Sequence, residues 1–328
     1  MFPTDCWYAI LDARELRRAR PLYARRLGVE LALWRDEQGR ARCVLDRCPH
    51  RGASLSAGKI REGCLECPFH GFVFDGRGAC VEVPCNGPDA PRARHLDTRA
   101  FEIREAQGLL WLWWGQPRES YPPTPWFEVL DGRYEFVSFE LDTEVNWMRN
   151  VEAQLDWAHV PFVHRKSFGA TFPRVLDIHS AVEGDLLTTW RGDQTDGEGK
   201  PTFSLRLLLP GLWMMPYELE SERACGLIAY APVDDVHTRV YFRSYVQKTA
   251  IPGLARLIGM YHNFYSRRIL REDLRVVLTQ PPGPTAHVHD ERLVPADLPV
   301  AHFRREVARR SQPGVELGPR VAVMRRSG

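Results

Sequence analysis

The chain has 328 residues, 44% hydrophobic and 26% charged, with a formal net charge of +2. That length accommodates two domains with a core each, and the near-neutral charge gives no electrostatic case for a nucleic-acid partner. No stretch approaches the about 18 uninterrupted apolar residues of a membrane span, and the N-terminal segment lacks the apolar centre of a signal peptide, so a cytoplasmic protein with reduced thiols is expected.

The first third reads as short strands and turns. Leu31–Trp34 and Ala41–Leu45 flank the polar turn Asp36-Glu37-Gln38-Gly39, a hairpin pattern. Gly71–Phe74 runs into Asp75-Gly76, a second hairpin turn. Beside these hairpins stand Cys48-Pro49-His50 and Cys67-Pro68-Phe69-His70. Each pairs a Cys with a His two or three residues on. Two thiolates and two imidazoles are the ligand set of a Rieske [2Fe–2S] cluster, in which two His replace two Cys on one iron. Gly52 and Gly71 close behind the two His allow tight backbone approach. A Cys2His2 zinc site is the competing use of these donors, but zinc fingers pair Cys with Cys and His with His. Cys6, Cys43, Cys64, Cys80, Cys85 and Cys225 read as ordinary small side chains. Gly108–Gly115, with LLWLWW at its centre, reads as a buried closing strand. An all-β domain over residues 1–116 is therefore expected, then a Pro-rich linker over 117–125 and a second domain over 126–328.

The second domain mixes strands and helices. Thr202–Leu209 mostly alternates apolar and polar residues, as a half-buried strand does, and Val240–Val246 is a second strand candidate. Residues 254–279 read as helical with a break near Gly259. Leu270, Leu274 and Val277, at i, i+4 and i+7, form one apolar stripe. The basic tail after Pro313 is expected to be loosely held. Asp156 and His159, at i and i+3, are expected on one helix face, with Pro161 ending or bending that helix so that His164 turns back toward the same metal. Two imidazoles and a carboxylate make the facial triad of non-haem Fe(II) oxygenases. The third ligand is expected to be Asp273, at the edge of the apolar stripe, where an unpaired carboxylate is costly. A salt bridge to a nearby Arg is its competing role. Glu272 is expected to face solvent, and His237, His262, His287 and His289 to be structural or on the surface. Phe168, Phe203, Leu205, Leu207, Trp213, Met214, Tyr230 and Tyr261 are candidate pocket walls, with core packing the alternative. No G-x-G-x-x-G nucleotide fingerprint is present.

CPHRGA, CPFHGF, NVEAQLDWAHVPFVH and REDLRVVLTQ together resemble the α subunits of Rieske non-haem iron oxygenases over nearly the whole chain. Within that family the similarity is to the homotrimeric group of aryl-ether O-demethylases, pheophorbide-type oxygenases and saxitoxin hydroxylases. The resemblance implies an α+β fold: an N-terminal all-β Rieske [2Fe–2S] domain, then a helix-grip (START-like) catalytic domain with a curved antiparallel sheet. It implies a Rieske cluster on Cys48, His50, Cys67 and His70, and a mononuclear Fe(II) on His159, His164 and Asp273. Head-to-tail trimers are implied, with the cluster of one subunit serving the iron of the next. Asp156 would then accept a hydrogen bond from the partner subunit's His70 and orient His159, while Asn150 matches a position near the iron. A separate NAD(P)H-dependent reductase or ferredoxin is implied as electron donor, in keeping with the missing nucleotide fingerprint. The implied chemistry is O2-dependent hydroxylation or demethylation of a small organic substrate. Cis-dihydroxylation of an aromatic ring is the alternative, and a simple Rieske electron carrier, which leaves the second domain idle, is a third.

Overall fold

The structure, a computed structural model, describes residues 2–87, 94–174, 177–218, 221–285 and 290–311. His287, His289 and the basic tail after Pro313 lie outside the described residues. Among the described residues no helix is long and apolar enough to cross a membrane.

Among the described residues the first domain holds ten strands: β1 (Cys6–Asp12), β2 (Leu22–Arg26), β3 (Val29–Arg35), β4 (Ala41–Leu45), β5 (Lys59–Arg61), β6 (Cys64–Glu66), β7 (Val73–Phe74), β8 (Cys80–Glu82), β9 (Ile103–Ala106) and β10 (Leu109–Trp114). They form three small sheets, β1-β10-β9, β2-β3-β4 and β5-β6-β7-β8. In the β3–β4 hairpin Leu33 lies opposite Cys43, and both point into the core. β10 pairs antiparallel with β1, from Cys6 opposite Trp114 to Asp12 opposite Leu109.

Every side chain of β10 is buried, because both its faces are covered. Leu110, Leu112 and Trp114 pack with Tyr8 and Ile10 inside the first domain. Leu109, Trp111 and Trp113 pack against Leu212, Met214 and Tyr241 of the second. A strand enclosed on both sides reads as an unbroken apolar run. Residues 117–125 hold no helix or strand, but they are fastened down. Tyr121 packs on Trp7 and Trp113 at 5.9 and 5.3 Å, and the Pro122 carbonyl accepts the Trp7 indole N–H at 2.9 Å.

The second domain comprises β11 (Tyr134–Thr143), α1 (Trp147–Leu155), α2 (Val160–Val163), β12 (Ile178–Glu183), β13 (Leu186–Arg191), β14 (Leu205–Leu208), β15 (Leu212–Glu218), β16 (Ser221–Pro232), β17 (Thr238–Gln247), α3 (Leu254–Val277) and α4 (Leu298–Arg310). Its seven strands form one antiparallel sheet in the order β11-β17-β16-β15-β14-β13-β12. One face meets the first domain. The other gathers Trp147, Val151 and Leu155 of α1 and Phe303 and Val307 of α4 into the main core. α3 packs along β11 and β17 and runs through Gly259 without the expected break. The fold is α+β, a Rieske-type β domain followed by a large antiparallel sheet gripping a long helix. Across the domain boundary the buried Arg243 guanidinium reaches Asp12 (3.2 Å) and the Gly108 carbonyl (2.8 Å).

Candidate metal centres

The two Cys-His loops share one backbone design. The Cys48 N–H bonds to the Ala53 carbonyl and the Gly52 N–H to the Cys48 carbonyl, both at 2.8 Å. The second loop repeats this with Cys67 to Phe72 (2.8 Å) and Gly71 to Cys67 (3.1 Å). Gly52 and Gly71 take φ of +75° and +71°, a left-handed turn that other residues adopt reluctantly. Asp46 pins the first loop by accepting from the Ser54 hydroxyl (2.6 Å) and the Ser56 hydroxyl (2.7 Å). The result is two buried thiols side by side and two exposed imidazoles with centroids 4.6 Å apart. The Cys48 thiol is pushed up to about 11, chiefly by burial, with the adjoining Cys67 thiol adding to it. Thiols so placed ionise when a metal binds them. Twin loops with this donor set fit a Rieske cluster.

The second set of donors is assembled from three elements. α1 ends at Leu155, and Asp156 caps it through its N–H to the Glu152 carbonyl (3.0 Å). The expected helix running from Asp156 to His159 is therefore not formed. A turn intervenes, and the Asp156 Oδ1 accepts from the Ala158 N–H at 2.7 Å. Pro161 begins a helix instead of ending one: it stands in the first turn of α2, where a missing N–H costs nothing. His159 precedes that helix and His164 follows it, so a single short turn carries both imidazoles. The Nε2 atoms of His159 and His164 lie 3.2 Å apart, and Asp273 Oδ1, from α3, lies 3.4 and 2.9 Å from them. Donors about 2.1 Å from one metal ion and at right angles to each other stand about 3 Å apart.

Each imidazole presents its other nitrogen to a carboxylate. His159 Nδ1 is 3.2 Å from Asp156 Oδ2, and His164 Nδ1 is 3.0 Å from Glu272 Oε2. With the proton on Nδ1 in each ring, two Nε2 lone pairs and a carboxylate oxygen converge, a set that a cation satisfies. Burial lowers the pKa of His159, but Asp156 and Asp273 outweigh it and hold it up at about 9. The field that retains a proton there also favours a metal ion. Glu272 corrects the sequence reading, since it turns toward His164 and not to solvent. The Ser167 hydroxyl (2.8 Å) also bonds it. Its pKa, raised by burial, is brought below the ordinary value by His164, Ser167 and Arg268. The need of a ligating His164 for a partner on Nδ1 was the signal that could have found it.

Asp273 is almost fully buried, and among the described residues its partners are His159, His164 and the Gln154 amide (3.2 Å), with no Arg. Burial raises its pKa, and the two imidazoles more than reverse that. Gln154 was not singled out from the sequence. Asn150 shares a small void with Asp273, but its amide donates to Thr143 Oγ1 (3.2 Å) and to the Val145 and Asn146 carbonyls (3.3 Å each). It secures the start of α1 and does not reach the triad.

A family model described as the Rieske [2Fe-2S] domain matches residues 6–102. The 3-chlorobenzoate-3,4-dioxygenase oxygenase subunit of Comamonas testosteroni is 28% identical over 253 residues, 73% of this chain and 58% of that protein. The oxygenase component of dicamba O-demethylase from Stenotrophomonas maltophilia is 36% identical over 166 residues, 50% of this chain and 48% of that one. The solved structure of the QL mutant of Pseudomonas putida CBB5 NdmA with theobromine superposes with a TM-score of 0.77 at 21% identity, covering 93% of this chain and 89% of that chain. Residues 6–102 thus form a Rieske [2Fe-2S] domain, and the whole chain shares the fold of NdmA. The chain spans about half the length of the curated relatives it matches.

In this chain the triad stands in the wall between two cavities. A polar one of about 180 Å³ is lined by Arg149, Glu152, Glu291 and Arg304. A largely apolar one of about 380 Å³ lies on the other side, and Asp156, His159 and Asp273 border both. Of the expected wall residues, Phe168, Phe203, Leu205 and Trp213 line the apolar cavity. Phe168 also stacks on His164 at 4.9 Å. Leu207, Met214, Tyr230 and Tyr261 do not. Strand alternation turns Met214 to the first domain and gives the wall to Met215. Leu207 is packed in the core, Tyr230 borders the small void beside Asp273, and Tyr261 is exposed on α3. Trp157, Phe172, Gln194, Tyr217, Phe242 and Tyr265 complete walls that the sequence did not mark.

Proposed function

We propose that this chain is a Rieske-type oxygenase that uses O2 and electrons from an external reductase or ferredoxin to hydroxylate or demethylate a small organic substrate. The observation that carries this is the convergence of His159, His164 and Asp273 on the edge of an apolar cavity, in a chain that also carries a Rieske domain. Cys48, His50, Cys67 and His70 would hold the cluster, and His159, His164 and Asp273 the Fe(II). When bound, the cluster supplies single electrons, and the iron, with positions left free by three protein donors, supplies a centre for dioxygen activation.

The chain's own residues do the rest. Asp156 and Glu272 keep the Nδ1 protons and fix both rings. The aromatic walls exclude water from the reacting group and hold it beside the triad. Asp156 keeps a quarter of its side chain exposed, facing the polar cavity, while His50 and His70 stand exposed at the tip of the first domain. This exposure supports a head-to-tail homotrimer in which Asp156 meets the partner subunit's His70. The dioxygenase and demethylase names of the relatives support both chemistries of the family.

The test is a single turnover of chemically reduced protein with 18O2 and a panel of aromatic ethers. One labelled atom per product, in the alcohol or in released formaldehyde, is the expected result. Two labelled atoms on a ring would establish dihydroxylation, and no label in any product would overturn the oxygenase reading.

A further inference from the structure

We infer that the apolar cavity is built for an uncharged ring system bearing a hydrogen-bond acceptor, held by the Trp213 indole N–H. This rests on the reading that the triad is the reacting centre. Among the described residues, two that line the cavity carry a buried polar atom with no partner: Trp213 Nε1 and Gln194 Oε1. Buried polar atoms in native proteins are nearly always paired, so an orphan on a cavity wall points to a ligand group or a water. Trp213 is only 3% exposed, so little bulk water reaches it. A second tryptophan in the same wall gives the contrast. Trp157 donates its indole N–H to Thr189 Oγ1 at 3.0 Å, and the Tyr217 hydroxyl is engaged with Ser244 and Ser266. The fold thus satisfies the Trp157 indole and the Tyr217 hydroxyl and leaves the Trp213 N–H open. The Gln194 Oε1 is an acceptor, so it is met by an N–H or O–H of the ligand or by a water.

Charge sets the second half of the inference. No Lys or Arg is found among the described residues lining this cavity, and its only carboxylates belong to Asp156 and Asp273. A carboxylate on the ligand would find no basic side chain, and the carboxylates of Asp156 and Asp273 offset the charge that a bound Fe(II) would bring, so its lost hydration would go unrepaid. The about 380 Å³ of the cavity falls in the range of about 300–1,000 Å³ typical of small-molecule sites and suits two or three fused rings.

The test uses three probes of similar size on the holoprotein under anaerobic conditions, read by calorimetric Kd: 7-methoxycoumarin (neutral, with acceptors), coumarin-3-carboxylate (anionic) and naphthalene (no acceptor). The expected order places 7-methoxycoumarin tightest, with the carboxylate at least tenfold weaker. Trp213→Phe should weaken 7-methoxycoumarin about tenfold while leaving naphthalene within about twofold, a tenfold loss being 1.4 kcal/mol. Equal affinity for the neutral and anionic probes, or equal losses for 7-methoxycoumarin and naphthalene in Trp213→Phe, would overturn the inference and show that the indole N–H holds only water. Binding is measured without turnover, so an absence of oxygenation by 18O2 would refute the catalytic reading independently of this result.

Discussion

Both imidazoles of the triad give Nδ1 to a carboxylate, but the two carboxylates are placed differently. Glu272 is enclosed between His164, Ser167 and Arg268, so its work is confined to its own chain. Asp156 faces the polar cavity and keeps an oxygen for the Ala158 backbone. Glu272→Gln should lower affinity for the mononuclear metal by about 10- to 100-fold, the usual cost of losing a carboxylate that orients a ligating His. Chelator competition reads this, and unchanged affinity would show that the Glu272 contact is incidental. Asp156→Asn should hold both metals at saturating iron yet lose most reductase-coupled turnover. Near-normal coupled turnover would remove Asp156 from the path between subunits.

At the scale of elements, the short α2 and the loop after it decide where His164 sits. The Gly169 N–H bonds to the His164 carbonyl at 3.0 Å, and a Cβ at Gly169 would stand 2.2 Å from the Val160 carbonyl oxygen. Gly169→Ala should therefore destabilise the fold by about 1–3 kcal/mol and loosen the mononuclear site, both measurable by chemical denaturation and iron titration. Unchanged stability and iron content would show that the loop has room to shift. The candidate ligands were legible from the C-x-H and C-x-x-H spacings, and those loops upstream gave the Asp156-His159-His164 run a meaning that two His would not carry alone. Asp273 was legible because a carboxylate beside Leu270 and Leu274 needs a partner. Local geometry was not, since a helix from Asp156 through His159 and a turn with Pro161 starting α2 share one i, i+3 spacing. Wall residues were the least legible. Met214 and Met215 are equally apolar, and only strand register, fixed by the pairing of Trp213 with Leu207 and Ile228, decides which one faces the cavity.

Across the whole molecule, the apolar run of β10 and the buried Arg243 join the domains. Removing one partner of a buried ion pair costs about 3–5 kcal/mol, so Arg243→Met should destabilise the protein by about that much and uncouple the unfolding of the two domains. Burial pushes the Asp12 carboxyl up, but hydrogen bonds to Arg14 and the Arg243 charge hold it below its ordinary value. A depressed carboxyl contributes stability above its unfolded pKa of about 3.9 and loses it as pH falls through the folded value. The stability gap between wild type and Arg243→Met should accordingly be full near neutrality and shrink below about pH 4. A gap independent of pH would show that Arg243 acts through its bonds to the Gln107 and Gly108 carbonyls alone.

Whether one chain holds two separate iron centres is tested most directly by counting iron and acid-labile sulfide in wild type and His159→Ala. The wild type should give about three irons and two sulfides per chain, and the variant about two of each with the visible cluster spectrum unchanged. Two irons in both proteins, or zinc in place of iron at either set of ligands, would contradict it.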